Sequence, residues 1–458
     1  MPAAIRLPAL SRLMLACATA FGAASAAQAQ SLAELYEAAR GYDATYLAAR
    51  AVAESAQYRA EQAHALRRPQ VNAVLNAARN FNEQPSISST TGQGTSNETT
   101  TRTASAGVSA TQSLFNRAND ATIAQADKAL ESAQADLQSA EQDLIVRLAQ
   151  GYFDVLAAQD ALATAQANKK GISEQLASAK RNFEVGTATI TDTREAQARF
   201  DLATAQEIAA TNDLQTKRIA LDQLIGRTGV APKPLAAPVA LPAVAPASVD
   251  EWVASAEQAP GVRKARVGYD VAKLETEKAR AGHLPTVGLN AGYTKGHSNL
   301  KVEAGGGTAL GTSGPLTQST IGVTVNIPLF AGFATQNRIR ETLLLEEQAR
   351  NNLEAVRRTV AQSTRQVFFG VQSGQAQVQA LEAAEASSKL ALEATQLGYR
   401  VGVRVNLDVL NAQTQLFTTQ RDLAKARYDV VVNSLRLRQA AGTLNPGDVN
   451  AVNQLIAR

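Results

Sequence analysis

The sequence predicts a mainly α-helical chain with a small β part, built from two copies of one unit. Three observations carry that prediction. First, Phe183-Glu184-Val185-Gly186-Thr187-Ala188-Thr189-Ile190-Thr191-Asp192 recurs, position for position, as Tyr399-Arg400-Val401-Gly402-Val403-Arg404-Val405-Asn406-Leu407-Asp408. The correspondence extends to Leu114-Phe115 with Leu329-Phe330, Gly107-Val108 with Gly322-Val323, Pro69 with Pro285 and Gly226 with Gly442. Second, proline is absent between Ser86 and Ala231 and between Leu329 and Asn445. Third, a pair of short alternating segments precedes each proline-free stretch. Solenoid units run roughly 20–50 residues, so this longer repeat is domain-sized.

Residues 1–29 read as a secretory signal peptide. Arg6 and Arg12 precede an apolar stretch, and Ala27-Gln28-Ala29 is an A-x-A cleavage site. A mature chain starting at Gln30 is expected. A lipoprotein reading would place Cys17 at the new N-terminus, but the apolar stretch continues past it. Without Cys17 the mature chain has no cysteine for disulfides or metal ligation. Losing the two arginines lowers the formal charge from +4 to +2, which implies no strong electrostatic partner. No later apolar run is long enough for a transmembrane helix.

The first repeat is expected over 30–230 and the second over 250–443. A Pro/Ala-rich linker, 231–249, separates them, and a tail, 444–458, follows. In each repeat a helix leads into a strand, a polar loop and a second strand. The strands are expected over 69–81, 103–115, 284–295 and 319–330. Their residues alternate, with one apolar face and one small polar face. That pattern suits a soluble sandwich, or a membrane barrel with lipid outside and water inside. The loops 82–100 and 296–317 are rich in Ser, Thr, Gly and Asn and read as mobile surface segments. Next come 117–182 and 333–398, rich in strong helix formers. Each would make a single helix on the order of 100 Å long. Gly186 and Gly402 then stop the chain, and it returns as helices over 193–225 and 409–441. Aromatic residues are only 5% of the chain and alanine is abundant, which favours long helices packed side by side over a thick core.

Four strands cannot close a membrane barrel, because an open edge would leave backbone groups unsatisfied in lipid. Barrels made by one chain start at eight strands. If these strands span a membrane, several chains must share one barrel, and two, three or four protomers all meet this argument.

The chain resembles the TolC-type outer-membrane channel-tunnels over essentially its whole mature length. The most specific stretch runs from Tyr399-Arg400-Val401-Gly402-Val403-Arg404 through Asp408 to Ala426-Arg427-Tyr428-Asp429 and Ala441-Gly442-Thr443-Leu444-Asn445. The Leu-Phe pairs and Leu284-Pro285-Thr286-Val287 match as well. The resemblance implies a homotrimer with one twelve-stranded barrel and a periplasmic α-helical tunnel, wrapped at its equator by the linker and tail. It implies an outer-membrane exit duct of efflux or type I secretion, with a periplasmic adaptor and an inner-membrane RND, ABC or MFS transporter as partners. It also implies two sites. The adaptor would dock at tips carrying Val185, Gly186, Thr187, Val401, Gly402 and Val403. A periplasmic gate would be held by Tyr399 and Arg404 bonding Thr191 and Asp192. Asp408 would supply one acidic ring at the constriction. Asn411 stands where the family has a second acid, which puts the full acidic constriction in doubt.

Catalytic and nucleic-acid readings find no support. His64, His283 and His297 are the only histidines and show no ligand spacing. Gly305-Gly306-Gly307 lacks the strand, helix and Lys-Ser/Thr of a phosphate loop. No cofactor or metal is expected, and the remaining partner is outer-membrane lipid. Two other classes stay open to test: a soluble periplasmic coiled-coil scaffold, and a secreted filament.

Overall fold

The computed structural model describes residues 30–87, 94–187, 189–236, 239, 241, 243–303 and 309–456. The expected signal peptide 1–29, with Cys17, and the Gly305-Gly306-Gly307 run lie outside the described residues. The elements in order are α1 (Leu32–Tyr42), α2 (Ala44–His64), β1 (Gln70–Ile87), β2 (Gly94–Phe115), α3 (Arg117–Glu184), α4 (Ile190–Ile225), α5 (Val249–Ala256), α6 (Pro260–Ala281), β3 (Thr286–Glu303), β4 (Ala309–Asn326), α7 (Ala334–Arg400), α8 (Asn406–Ala440) and α9 (Pro446–Asn453). The two long helices, of 68 and 67 residues, are continuous.

The chain forms two compact units. One comprises Arg50–Asp136 and Gly261–Arg357. Its strands make one antiparallel sheet in the order β1-β2-β3-β4. The strands are longer than the alternation predicts. Much of the expected loops 82–100 and 296–317 is strand, paired from Ser86↔Thr95 inward and from Glu303↔Ala309 inward. Threonine-rich sequence serves a strand as well as a loop, and pairing across the hairpin settles which forms. β4 stops at Asn326 short of the expected 330, because Pro328 offers no N–H for a ladder.

The sheet bends. Along β2, exposed Arg102, Ala104, Ala106 and Val108 alternate with half-buried Thr101, Thr103, Ser105 and Gly107. Along β3, Tyr293, Lys295 and His297 alternate in the same way with Thr294, Gly296 and Ser298. The open, convex face carries Val71, Leu75, Val108, Tyr293, Ile321 and Val323. The opposite face carries half-buried Ser109 with exposed Asn72 and Asn290, and Asn290 donates to Thr324 Oγ1 at 3.0 Å. The helical segments of this unit line up through charged pairs. His64 meets Asp127 at 3.1 Å, Lys128 meets Asp270 at 3.2 Å, and Arg338 meets Glu275 at 2.7 Å. These pairs give the lateral order α2, α3, α6, α7. Both outer helices, like both outer strands, are open at one side and carry exposed apolar residues: Val52 and Tyr58 on α2, Leu344 on α7.

The other unit comprises the described residues of Met1–Ala49, Leu137–Pro260 and Arg358–Arg458. Its largest core gathers Leu35 and Ala39 of α1, Leu148, Tyr152 and Leu156 of α3, Leu221 of α4, Val431 and Leu435 of α8, and Val452 of α9. Tyr152 packs edge-on against Phe153, which stacks on Tyr428. The buried hydroxyls are satisfied: Tyr152 donates to the Lys233 carbonyl at 2.8 Å and Tyr428 to Asp160 at 2.7 Å. Burial raises both phenols above the ordinary tyrosine range. Arg147 holds Asp43 through two bonds of 3.0 and 3.1 Å. Ser31 with Glu34, and Asn445 with Asp448, form capping boxes that start α1 and α9.

Candidate functional site

The two hairpin tips lie in the second of these units. In the first tip, the Gly186 N–H donates to the Phe183 carbonyl at 2.9 Å and the Thr187 N–H to the Asn182 carbonyl at 2.8 Å. In the second, Gly402 donates to Tyr399 at 3.1 Å and Val403 to Gly398 at 2.9 Å. Both are Schellman turns, with glycine at φ 78° and 81°. A side chain at either position would strain the backbone, and each turn leaves open space around its glycine. Val185, Val401 and Val403 stand 72%, 64% and 75% exposed around these turns. Exposed valines on a tight polar turn leave apolar surface in water.

The helices leaving the two tips start differently. Thr189 caps α4, receiving the Asp192 N–H at 3.2 Å, while Asp192 accepts from the Thr189 N–H at 3.0 Å. Its repeat counterpart is Val405, which has no hydroxyl, so α8 starts without a side-chain cap. Asp408 is therefore free of the capping role that occupies Asp192, and it lies 3.6 Å from Arg404.

The resemblance implies bonds from Tyr399 and Arg404 to Thr191 and Asp192. Within the chain those bonds are absent among the described residues. The Tyr399 hydroxyl instead accepts from Asn182 Nδ2 at 3.2 Å. Asp192 is engaged by Thr189, and Arg404 faces Asp408. Asn411 accepts from Arg199 at 3.0 Å. Deeper in, Gln413 donates to the Asn168 carbonyl at 3.3 Å and occupies the space a side chain at residue 171 would need. Gly171 is thus a close-approach site, where composition alone marks only a weak point in the helix. Leu410 packs with Ile172, Leu176, Ala179 and Ala196 behind this contact. The linking partners Asn182, Arg199, Asn168 and Gln413 are polar residues on helices without a distinguishing local pattern. The one available signal is that each sits within about five turns of a repeated Val-Gly motif.

One lateral order emerges from the pairs along the hairpins above the tips, where Arg199 and Asn411 also bring α4 to α8. Lys169 meets Glu207 at 2.8 Å between α3 and α4, and Arg427 meets Glu382 at 2.7 Å between α8 and α7. Tyr428 with Asp160 and Arg436 with Gln150 join α3 to α8. The order is α4, α3, α8, α7, leaving α4 and α7 outermost. Exposed Leu202, Ile208 and Ile219 lie on α4, and Phe369 and Leu390 on α7.

Comparison with known proteins places this architecture. The family described as "Outer membrane efflux protein" matches residues 35–227 and 253–443, once in each repeat. The chain is 32% identical over 431 residues to "Outer membrane protein TolC" of Vibrio cholerae, covering 94% of each. It is 33% identical over 323 residues to "Alkaline protease secretion protein AprF" of Pseudomonas aeruginosa, covering 69% of this chain and 64% of that one. The crystal structure of the outer membrane protein VceC from Vibrio cholerae shares the fold, with a TM-score of 0.71 and 20% identity over 90% of this chain and 96% of that one. With both repeats matched and a relative above 30% identity along nearly the whole chain, the protein belongs to the outer membrane efflux protein family and is an outer-membrane exit duct of the kind used in efflux and type I secretion.

Proposed function

We propose that three copies of this chain form one duct. Twelve strands would close a shared barrel, and the helical hairpins would line the periplasmic passage. The observation that carries this reading is the bent four-stranded sheet, apolar on its convex face and unpaired along β1 and β4. An unpaired edge in hydrocarbon costs several kcal/mol per unsatisfied backbone group, so neighbouring copies must complete it. The apolar residues exposed on outermost α2, α4 and α7 would be covered by the same neighbours.

The duct is a passive conduit whose tips meet a periplasmic adaptor and whose cargo arrives from an inner-membrane RND, ABC or MFS transporter. Val185, Gly186, Thr187, Val401, Gly402 and Val403 supply the docking surface, an apolar knob on each of two tips. The gate is held within each copy by Asn182 with Tyr399 and Arg199 with Asn411. Thr191, Asp192 and Arg404 would complete the gate against a neighbouring copy, with Asp192 also capping α4 and Arg404 also beside Asp408. The linker 231–249 and the tail 444–458 form the equatorial part between repeats 30–230 and 250–443.

The test is export in a Gly402→Trp strain. Loss of export with heat-resistant trimer still in the outer membrane is expected. Full export would defeat the docking assignment, and a chain that migrates as a monomer without heating would defeat the shared barrel.

A further inference from the structure

The convex face of the sheet changes from apolar to charged partway along its strands. Moving from the strand ends near the helices toward the hairpin ends, the first charged residues on this face of β1 and β2 are Arg79 and Arg102, and on β3 it is Lys295, which lies opposite Ala106 and so four residues nearer the helices. All three are cations, and all are exposed. Arg79 and Arg102 are directly opposed in the strand register. Opposed residues hold their Cβ atoms about 5 Å apart, and like charges there repel. Among the described residues neither arginine, nor Lys295, has an ion pair or side-chain hydrogen bond. The carboxylates on the same face, Glu83, Glu98 and Glu303, oppose one another in a single row four residues farther along β1. That row is roughly 13 Å away at the strand rise, too far to neutralise the arginines directly.

Immediately below the cations the surface is hollow. Leu75, Ala77, Ala104 and Ala106, flanked by Lys295 and His297, line a shallow groove. Its floor is largely alanine, so it is apolar and shallow, and it runs up to the two arginines. Two guanidinium groups at this spacing match the oxygens of one phosphate through paired N–H bonds. A phosphate there converts the Arg79–Arg102 repulsion into a shared attraction. The apolar groove continues from the same point, which suits an acyl chain attached to that phosphate group.

We propose that this face binds a phosphorylated glycolipid of the outer leaflet, with its phosphate on Arg79 and Arg102 and an acyl chain along the Ala77–Ala104–Ala106 groove, beside Lys295. The proposal rests on the barrel reading, since only then does the convex face meet lipid.

Delipidated trimer in detergent would be titrated with diphosphoryl lipid A, with dephosphorylated lipid A and with inorganic pyrophosphate, and binding read by native mass spectrometry. The expected result is about tenfold preference for the phosphorylated lipid, the scale of one charged hydrogen bond. An Arg79→Gln/Arg102→Gln variant should lose that preference, and Arg79→Lys/Arg102→Lys should keep most of it. Equal binding of the two lipid forms, or an unchanged preference in the glutamine variant, overturns the proposal. Pyrophosphate binding as tight as the lipid would assign the cations to a free anion and also overturn it. Trimer migration on unheated gels separates the two layers of argument: a wild type that is no trimer defeats the barrel, whereas a trimer indifferent to lipid phosphate defeats only the lipid site.

Discussion

At the scale of single residues, the two repeats diverge where function needs them to. Thr189 and Val405 occupy the same place in the repeat, yet only the hydroxyl draws its aspartate into a cap. Thr189→Ala should cost about 1 kcal/mol of stability, measurable by denaturant melts of the purified trimer. Val405→Thr should recruit Asp408 as Asp192 is recruited. Block of single-channel current by multivalent cations should then weaken toward that of Asp408→Ala, because the carboxylate turns from the passage to the backbone. Unchanged block in both variants would remove Asp408 from the constriction. Farther along, Asp43 carries a different constraint. Burial opposes its charge, but the bonds from Arg147 and the Tyr46 N–H outweigh burial and hold its pKa below the ordinary 3.8. A depressed carboxyl stabilises the fold fully above 3.8, and that contribution is lost as pH falls further. Arg147→Ala should therefore cost about 2 kcal/mol near neutral pH and progressively less as pH falls below 3.8, read by melts across a pH series.

At the scale of elements, helix and strand follow from local sequence, but their joins do not. The tips are legible because glycine at a positive φ has a distinct signature, and the same signature occurs twice. The pairing between hairpins is not legible, because any of several polar residues on facing helices reaches the partner. Asn182, in place of Thr191 or Asp192, meets Tyr399 within the chain because the turn at Gly186 carries Asp192 into its own cap. The gate prediction belongs here. Tyr399→Phe with Asn411→Ala removes both in-chain links, each worth about 0.5–1.5 kcal/mol. Threefold repetition makes the sum large enough to shift a closed state toward open. Raised conductance in planar bilayers is the expected outcome, and conductance equal to wild type would mean the closed state is held elsewhere. Strand length was the main misreading at this scale. Ser- and Thr-rich segments were expected as loops, and hairpin pairing makes much of them ladder.

At the scale of the whole molecule, the constraint is incompleteness. Sheet and helices alike leave apolar surface at their outer members, and α4 and α7 expose leucine and isoleucine along their lengths. Leu390→Glu should place charge in a neighbouring copy's apolar contact and lower the temperature at which the trimer dissociates on gels. Ile321→Lys, on the convex face of β4, should cost about 2–4 kcal/mol if that face meets the hydrocarbon midplane. Membrane-integrated yield would fall accordingly, whereas Thr320→Lys on the opposite face should be tolerated.

The duplicated unit, the long proline-free helices, the glycine turns and the alternation of the strands are legible from the residues alone. Each of these depends on local propensity, periodicity or an internal match, and such signals survive without knowledge of neighbours. Which face of the middle strands is the more exposed, how far the strands extend, and which polar residues bridge the hairpins follow only from the folded arrangement. Those outcomes depend on contacts between residues far apart in the chain, where many pairings are sterically allowed and packing selects among them. Arg79 opposite Arg102 is such a case: two ordinary arginines in the sequence, brought face to face only by the register of β1 on β2.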